Sequence, residues 1–396
     1  SNRIGGERAL VLYNNSYSSA WGWIRMSSAF AEKTPAGDKT LIQKSLVQGL
    51  DIHPDDGCFC VLREQRSNLW FIRSCREIHE KGLFVNLRGY ESQVYLDIYE
   101  VLDDHSGTYR RLAESLNGAG AASIEEALRE MVFSPVYAAF RPLVDEWYPK
   151  LRESLFGGEE AAAPAETEGF RDACRVFLHR ARTFHGGEAD VEEGVEAVLG
   201  GLDAVSRVFR GLGAGITPAA EKAGPEKPRR KRAVKAEAAD TEKERGWDFM
   251  TGQGPGIPAA RELAFCWIIL RGLGFGPEEK GKSRPETAAR LVEDLALDRE
   301  AAKFLGRSGA AEYSERLRLL LRVLITREDW FDTIRKFDDP PVRARVALES
   351  LFADQDAAAC AGVNRYQDVL YFNREGFFSL VWWVTAAALT RKIPAK

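Results

Sequence analysis

The stretch that decides the fold is Val94-Tyr95-Leu96-Asp97-Ile98-Tyr99-Glu100-Val101. Val94, Leu96 and Ile98 alternate with residues of more polar character, and a period of two with one polar face is typical of a half-buried antiparallel strand. Similar short runs precede it at 9–13, 58–63, 69–73 and 83–87, and the polar residues 64–68 suit a hairpin loop. We therefore predict a small antiparallel β-sandwich over residues 1–102.

The hydrophobic period becomes helical from Asp103 onwards. Residues 103–212 form the first part of a predicted helical domain, and residues 248–396 form the second. The last helix carries Trp382 and Trp383 and is apolar on every side, so it should lie in a core that both parts share. The predicted fold class is α+β and multidomain, with a small antiparallel β-sandwich followed by a mainly α-helical domain.

Residues 213–247 interrupt the helical pattern. They are rich in Ala, Pro, Lys, Arg and Glu, and they carry almost no large apolar side chain. Such a segment cannot bury enough surface to offset the entropy of ordering it, so we predict a disordered linker. Its basic run at 229–232 is surrounded by acidic residues, which favours a solvated segment over a nucleic-acid site.

Composition excludes several classes of protein. The chain has 396 residues, 45% of them hydrophobic, and a net charge of -4, which argues against a largely disordered protein and against nucleic acid as a partner. Its longest apolar run, 377–389, is shorter than the ~20 residues that a membrane-spanning helix needs. The six cysteines lack a C-x-x-C motif and suit isolated buried thiols in a reducing compartment, so we expect a cytoplasmic location.

Motifs for catalysis, metals and cofactors are not found in the sequence. There is no G-x-S-x-G, H-E-x-x-H or P-loop, and the histidines show no recurring ligand spacing. We therefore predict no catalytic residue, no metal ligand and no cofactor in this chain.

Two segments combine aromatic rings with Asn and Arg. One runs from Tyr13 to Arg25 and includes Trp21 and Trp23, and the other runs from Gly362 to Glu375. Rings that stack on the apolar faces of sugars, together with amides that pair with hydroxyls, make a carbohydrate platform. The alternative is that the tryptophans are packing residues and that the second segment is an ordered turn. The candidate carbohydrate-binding residues are Asn364, Arg365, Tyr366, Gln367, Tyr371 and Asn373.

The order of these segments resembles a known family. The N-terminal part contains, in this order, Tyr13-Asn14-Asn15, Trp21-Gly22-Trp23-Ile24-Arg25, Lys39-Thr40-Leu41, Trp70-Phe71-Ile72-Arg73-Ser74, Gly82-Leu83-Phe84-Val85-Asn86-Leu87, Tyr90 and Val94-Tyr95-Leu96-Asp97-Ile98. The C-terminal part contains Gly362-Val363-Asn364-Arg365-Tyr366-Gln367, Tyr371-Phe372-Asn373-Arg374-Glu375 and the Trp382-Trp383 helix. This resembles the C-terminal part of large bacterial α-amylase-family glycosyl hydrolases (glycoside hydrolase family 13), in which a β-sandwich and a helical extension follow the catalytic barrel.

The resemblance implies a non-catalytic accessory region of an α-glucan-active enzyme. Its partners would be a catalytic barrel upstream of Ser1 in the same polypeptide and an α-glucan, and it implies no nucleic acid and no membrane. Because no segment resembles the barrel motifs, no catalytic residue is carried over. Two other hypotheses remain open: a helical protein-interaction scaffold, and a free-standing enzyme with a polar cleft.

Overall fold

The computed structural model describes residues 2–4, 6–33, 37–157, 164–184, 186, 190–212, 249–251, 255, 259–277, 281–327, 330, 336–367 and 369–392. The chain divides into two compact units, Ser1–Ser134 and Pro135–Lys396, and each is described by itself. The fold is α+β as predicted, with small antiparallel sheets in the N-terminal part and helices after them.

The first unit contains every strand that the sequence predicts. Its strands are β1 (Asn2–Ile4), β2 (Glu7–Tyr13), β3 (Ala20–Ile24), β4 (Phe30–Lys33), β5 (Lys39–Ile42), β6 (Cys58–Glu64), β7 (Trp70–Ser74), β8 (Leu83–Leu87) and β9 (Ser92–Leu102). Its helices are α1 (Leu46–Leu50), α2 (Cys75–Lys81), α3 (Thr108–Leu116) and the first part of α4 (Ile124–Pro142). The sequence did not predict β1, β3, β4 or β5, which lack long apolar runs.

The strands form one large sheet and two small ones. The large sheet has the order β1-β2-β9-β6-β7 with antiparallel pairing, and β3 pairs with β8 and β4 with β5. One apolar cluster joins Leu62 of the large sheet to Leu83 and Val85 of β8, so these two sheets pack face to face as a sandwich.

The other face of the large sheet is covered in part. Phe59 and Val61 pack there with Leu112 of α3 and Ile124 of α4. The expectation of a half-buried sheet therefore fails at β6, where the helices cover the second face, and holds at β2, where Val11 is 59% exposed. The compact unit extends to Ser134, beyond the boundary predicted after residue 102, because these two helices bury their apolar faces on the sheet.

A β-bulge in β9 reverses the side-chain alternation. Val61 pairs with Tyr99 while Arg63 pairs with Leu96, so β9 has one extra residue there, and Asp97 has a positive φ of 49°. Tyr95 is consequently buried in the sandwich core, although the sequence placed it on the polar face. A bulge changes which face each later residue occupies, which a simple period-two pattern cannot anticipate.

The capping-box spacing of Ser74 and Glu77, with a glycine at 82, predicts a short helix between them, and α2 begins and ends there. The Ser74 hydroxyl accepts a hydrogen bond from the backbone N–H of Glu77, and the helix stops at Gly82 with a φ of 88°. A Cβ at Gly82 would lie 2.1 Å from the carbonyl oxygen of Ile24, so only glycine permits this close approach between α2 and β3.

The second unit is helical. After α4 come a π-helical turn (Leu143–Trp147) and α5 (Tyr148–Phe156), α6 (Pro164–Thr183), α7 (Glu192–Gly211), α8 (Ala260–Arg271), α9 (Arg284–Asp294), α10 (Leu297–Leu305), α11 (Ser314–Thr326), α12 (Pro340–Phe352), α13 (Gln355–Cys360) and α14 (Arg374–Lys392). A proline inside a helix removes one backbone hydrogen bond, so the sequence predicts a break or kink at Pro135 and Pro142. Helix α4 nevertheless continues through Pro135, and the π-helical turn begins directly after Pro142.

The last helix is central to its unit, as predicted. Trp382 and Trp383 of α14 are fully buried, and both rings lie near Phe209 of α7, with centroid distances of 5.9 and 6.1 Å. Residues from both parts of the predicted helical domain thus share one core.

The predicted linker, 213–247, lies outside the described residues. None of the described helices is long and apolar enough to cross a membrane.

Candidate functional site

The predicted carbohydrate-binding segment forms a β-hairpin. Strand β10 (Asn364–Tyr366) pairs antiparallel with β11 (Val369–Tyr371), with Asn364 opposite Tyr371, Arg365 opposite Leu370 and Tyr366 opposite Val369. Because alternate residues of a strand face the same side, Asn364, Tyr366 and Tyr371 share one face of the hairpin. The two tyrosines are 65% and 53% exposed. The sequence had placed these residues in a loop or turn.

The remaining candidates have local structural roles. Gln367 lies at the turn with a positive φ of 48°, and its amide donates a 3.4 Å hydrogen bond to the Tyr366 hydroxyl. The side-chain oxygen of Asn373 accepts a 2.9 Å hydrogen bond from the backbone N–H of Gly376, so it caps the start of α14. The hairpin therefore offers two rings and the Asn364 amide to a ligand, while Asn373 anchors its base.

The second aromatic segment lies on the sandwich. Trp23 of β3 pairs across the strands with Phe84 of β8, their ring centroids are 5.5 Å apart, and each side chain is 47% exposed. The Lys81 ammonium lies 5.6 Å from the centre of the Trp23 ring. Asn14, in contrast, is buried and donates to the carbonyls of Ser18 and Arg88 at 2.8 and 2.9 Å. It holds the loops around β3 and β8, so it is not available to a ligand.

Trp23 and Phe84 line a groove of about 690 Å³ in the first unit, which we call the sandwich groove. Its other walls come from β7, α2 and α3, and its lining residues are Trp23, Asp56, Phe59, Ile72, Arg73, Ser74, Arg76, Glu77, Phe84, Arg110, Ala113, Glu114, Asn117 and Gly118. This volume lies within the range of about 300–1,000 Å³ that is usual for small-molecule sites.

The charges in the sandwich groove balance. Three arginines (73, 76 and 110) face three carboxylates (56, 77 and 114). Arg76 bonds to Asp56 at 2.9 Å and to Glu80 at 2.8 Å. Burial lowers the pKa of Arg73, whose guanidinium donates to the carbonyl of Gly118 at 2.8 Å. The groove thus offers hydrogen-bond donors and acceptors without a strong net field, which suits a neutral polar ligand better than a charged one.

Sequence reasoning found Trp23 but missed the other residues of the sandwich groove. Arg73 ends a strand, Arg76 begins a helix and Arg110 lies on another helix, so no local motif joins them. Only the pairing of the strands and the packing of α3 on the sheet bring them together.

Fold and groove together define an α+β protein with an exposed aromatic cleft on a β-sandwich. Comparison with known protein families, curated proteins and solved structures gives no match for this chain.

Proposed function

We propose that this chain is a non-catalytic accessory region of an α-glucan-active enzyme and that the sandwich groove binds the glucan. The observation that carries the proposal is the pair of half-exposed rings, Trp23 and Phe84, on the wall of a charge-balanced groove. The sequence resemblance to the C-terminal part of α-amylase-family enzymes supports the same substrate class.

The groove matches the chemistry of a neutral sugar. A pyranose presents apolar C–H faces, which pack on aromatic rings, and hydroxyl groups, which exchange hydrogen bonds with both donors and acceptors. The Trp23 and Phe84 rings supply the apolar surface, and the arginines and carboxylates that line the same groove supply donors and acceptors.

Isothermal titration of the chain with a linear maltooligosaccharide tests this proposal. Trp23→Ala should weaken binding by about 1 kcal/mol or more, roughly fivefold in Kd, because one ring contact is lost. Trp21→Ala is the matched control, since Trp21 lies on the same strand, is 77% exposed and does not line the groove. Equal affinities of the two variants, or no binding by the wild type, would refute the role of the groove.

The hairpin is tested in the same assay. Tyr366→Ala and Tyr371→Ala should weaken binding with little change in melting temperature if the hairpin contacts sugar, because both side chains are more than half exposed. Unchanged affinity in both variants would leave the sandwich groove as the proposed site. The isolated chain should release no reducing sugar from starch, because it has no segment that resembles the catalytic barrel motifs.

A further inference from the structure

Two cysteines and a glutamate converge in the first unit, away from the sandwich groove. The Sγ atoms of Cys58 and Cys75 lie 3.6 and 3.7 Å from the same oxygen, Oε1 of Glu100. All three candidate ligand atoms lie within 4.8 Å of one another. In a tetrahedral zinc site, a sulfur ligand about 2.3 Å and an oxygen ligand about 2.0 Å from the metal are separated by about 3.5 Å. The observed spacing is close to this value.

Three separate elements build this cluster. Cys58 begins β6, Cys75 is the first residue of α2, and Glu100 lies on β9 beyond the bulge. All six cysteines are buried free thiols, as predicted, but Cys58 and Cys75 are not isolated. No ligand spacing is visible in the sequence, because consecutive members of the cluster are 17 and 25 positions apart.

Surrounding groups fix the orientation of the Glu100 carboxylate. Its Oε2 accepts from the Arg8 guanidinium at 2.9 Å and lies 3.1 Å from Nδ1 of His53, and the backbone N–H of His53 donates to Oε1 at 2.8 Å. Such second contacts orient the ligands of metal sites. Two thiolates, one carboxylate, the Arg8 cation and a divalent metal ion would together carry no net charge, which a largely buried site requires.

A cavity of about 600 Å³ leads to the cluster. It is lined by His53, Pro54, Asp55, Cys58, Glu100, Val101 and Leu102. A ligand or a metal ion can therefore reach Cys58 and Glu100 from solvent. The imidazole of His53 is 71% exposed, and its Nδ1 lies 3.1 Å from Oε2 of Glu100, so it orients this carboxylate and leaves the fourth coordination position to water.

We propose that Cys58, Cys75 and Glu100 bind a thiophilic divalent cation of the Zn²⁺ class, with water as the fourth ligand. Without metal, the two thiols keep their protons and lie within hydrogen-bonding distance of Oε1. Binding replaces these two protons with one dication and releases them to solvent, so the charge and the atoms balance.

Titration of the reduced, chelator-treated chain with Co²⁺ tests the site, because Co²⁺ bound to thiolates shows sulfur-to-metal charge-transfer absorption in the near ultraviolet. We expect this absorption to saturate at one ion per chain and Zn²⁺ to bleach it. Cys58→Ser, Cys75→Ser and Glu100→Gln should each weaken binding by about tenfold or more. Cys60→Ser is the matched control, since Cys60 is buried on the same strand outside the cluster. Absence of the absorption, or its persistence in both Cys58→Ser and Cys75→Ser, would overturn the proposal.

Alkylation of the wild-type chain keeps the test valid if a variant fails to fold. Zn²⁺ should protect Cys58 and Cys75 from iodoacetamide in peptide mapping and leave the reactivity of Cys360 unchanged. Equal alkylation of Cys58 and Cys75 with and without Zn²⁺ contradicts the site. So does a fully reduced chain that binds no Zn²⁺.

Discussion

Trp382 and Trp383 allow the contribution of one buried hydrogen bond to the free energy of unfolding to be measured within a single helix. Both indoles are fully buried, and both lie against Phe209. The Nε1–H of Trp382 donates to the carbonyl of Met250 at 2.8 Å, whereas Nε1 of Trp383 has no hydrogen-bond acceptor among the described residues. Replacing each tryptophan by phenylalanine removes the same atoms from similar surroundings.

The difference between the two variants isolates the polar contribution. Trp382→Phe leaves the Met250 carbonyl without its donor, which costs about 1–3 kcal/mol for a buried group. Trp383→Phe also loses packing, but it removes a buried N–H that has no acceptor, so the folded state no longer carries the free-energy cost of desolvating that group. The cavity contributions are alike and largely cancel. Trp382→Phe should therefore have a free energy of unfolding lower by about 1–3 kcal/mol than that of Trp383→Phe.

Urea denaturation followed by far-ultraviolet circular dichroism measures this difference, because the helical signal comes mainly from the second unit. The two variants should have the same denaturant dependence and different midpoints. Equal midpoints, or a lower midpoint for Trp383→Phe, would show that the hydrogen bond to Met250 does not decide the ranking.

Two further predictions concern the first unit. Gly82→Ala should destabilise it by at least about 1 kcal/mol, because the new Cβ meets the Ile24 carbonyl. Gly6→Ala is the control in thermal melts, since a Cβ at Gly6 has no atom within 4 Å, and equal melting temperatures of the two variants would contradict the prediction. The pKa of Asp104 lies well below its ordinary value of 3.8 because the carboxylate accepts hydrogen bonds, first from the Thr108 hydroxyl. Its contribution to stability is present above pH 3.8 and is lost as the pH falls below that value. The denaturation midpoints of the wild type and of Asp104→Asn should therefore converge in acid, and a difference between these midpoints that does not depend on pH would exclude this linkage.

Local signals in the sequence predicted elements well where one residue decides the backbone. Ser74 and Gly82 defined both ends of α2, and the apolar run through Trp382 and Trp383 indicated a central helix. The burial of Phe59 and Val61 on the second face of the large sheet was not predictable, because it depends on α3, which lies about 50 residues further along the chain, and hydrophobic periodicity reports only on neighbouring residues.

The candidate site was only partly predictable for the same reason. Tyr366 and Tyr371 were recognised by composition, and their common face follows from the hairpin register. The sandwich groove joins Trp23 to Arg73 and Arg110 through tertiary packing, and single residues such as these carry no pattern of their own. Asn14 was part of a promising aromatic segment, yet its amide is fully used by backbone carbonyls.

The bulge at Asp97 has a consequence for insertions and deletions in β9. Tyr95 and Ile98 both face the sandwich core, which is possible only because an extra residue lies between them, and Glu100 follows Ile98 onto that face. Deleting Asp97 would remove the bulge but keep Ile98 and Glu100 on the core face, whereas inserting one residue after Asp97 would turn Glu100 towards α3 and Tyr99 inward. A single codon therefore decides whether this sheet carries a carboxylate or a phenol in its interior, without any change in the residues themselves.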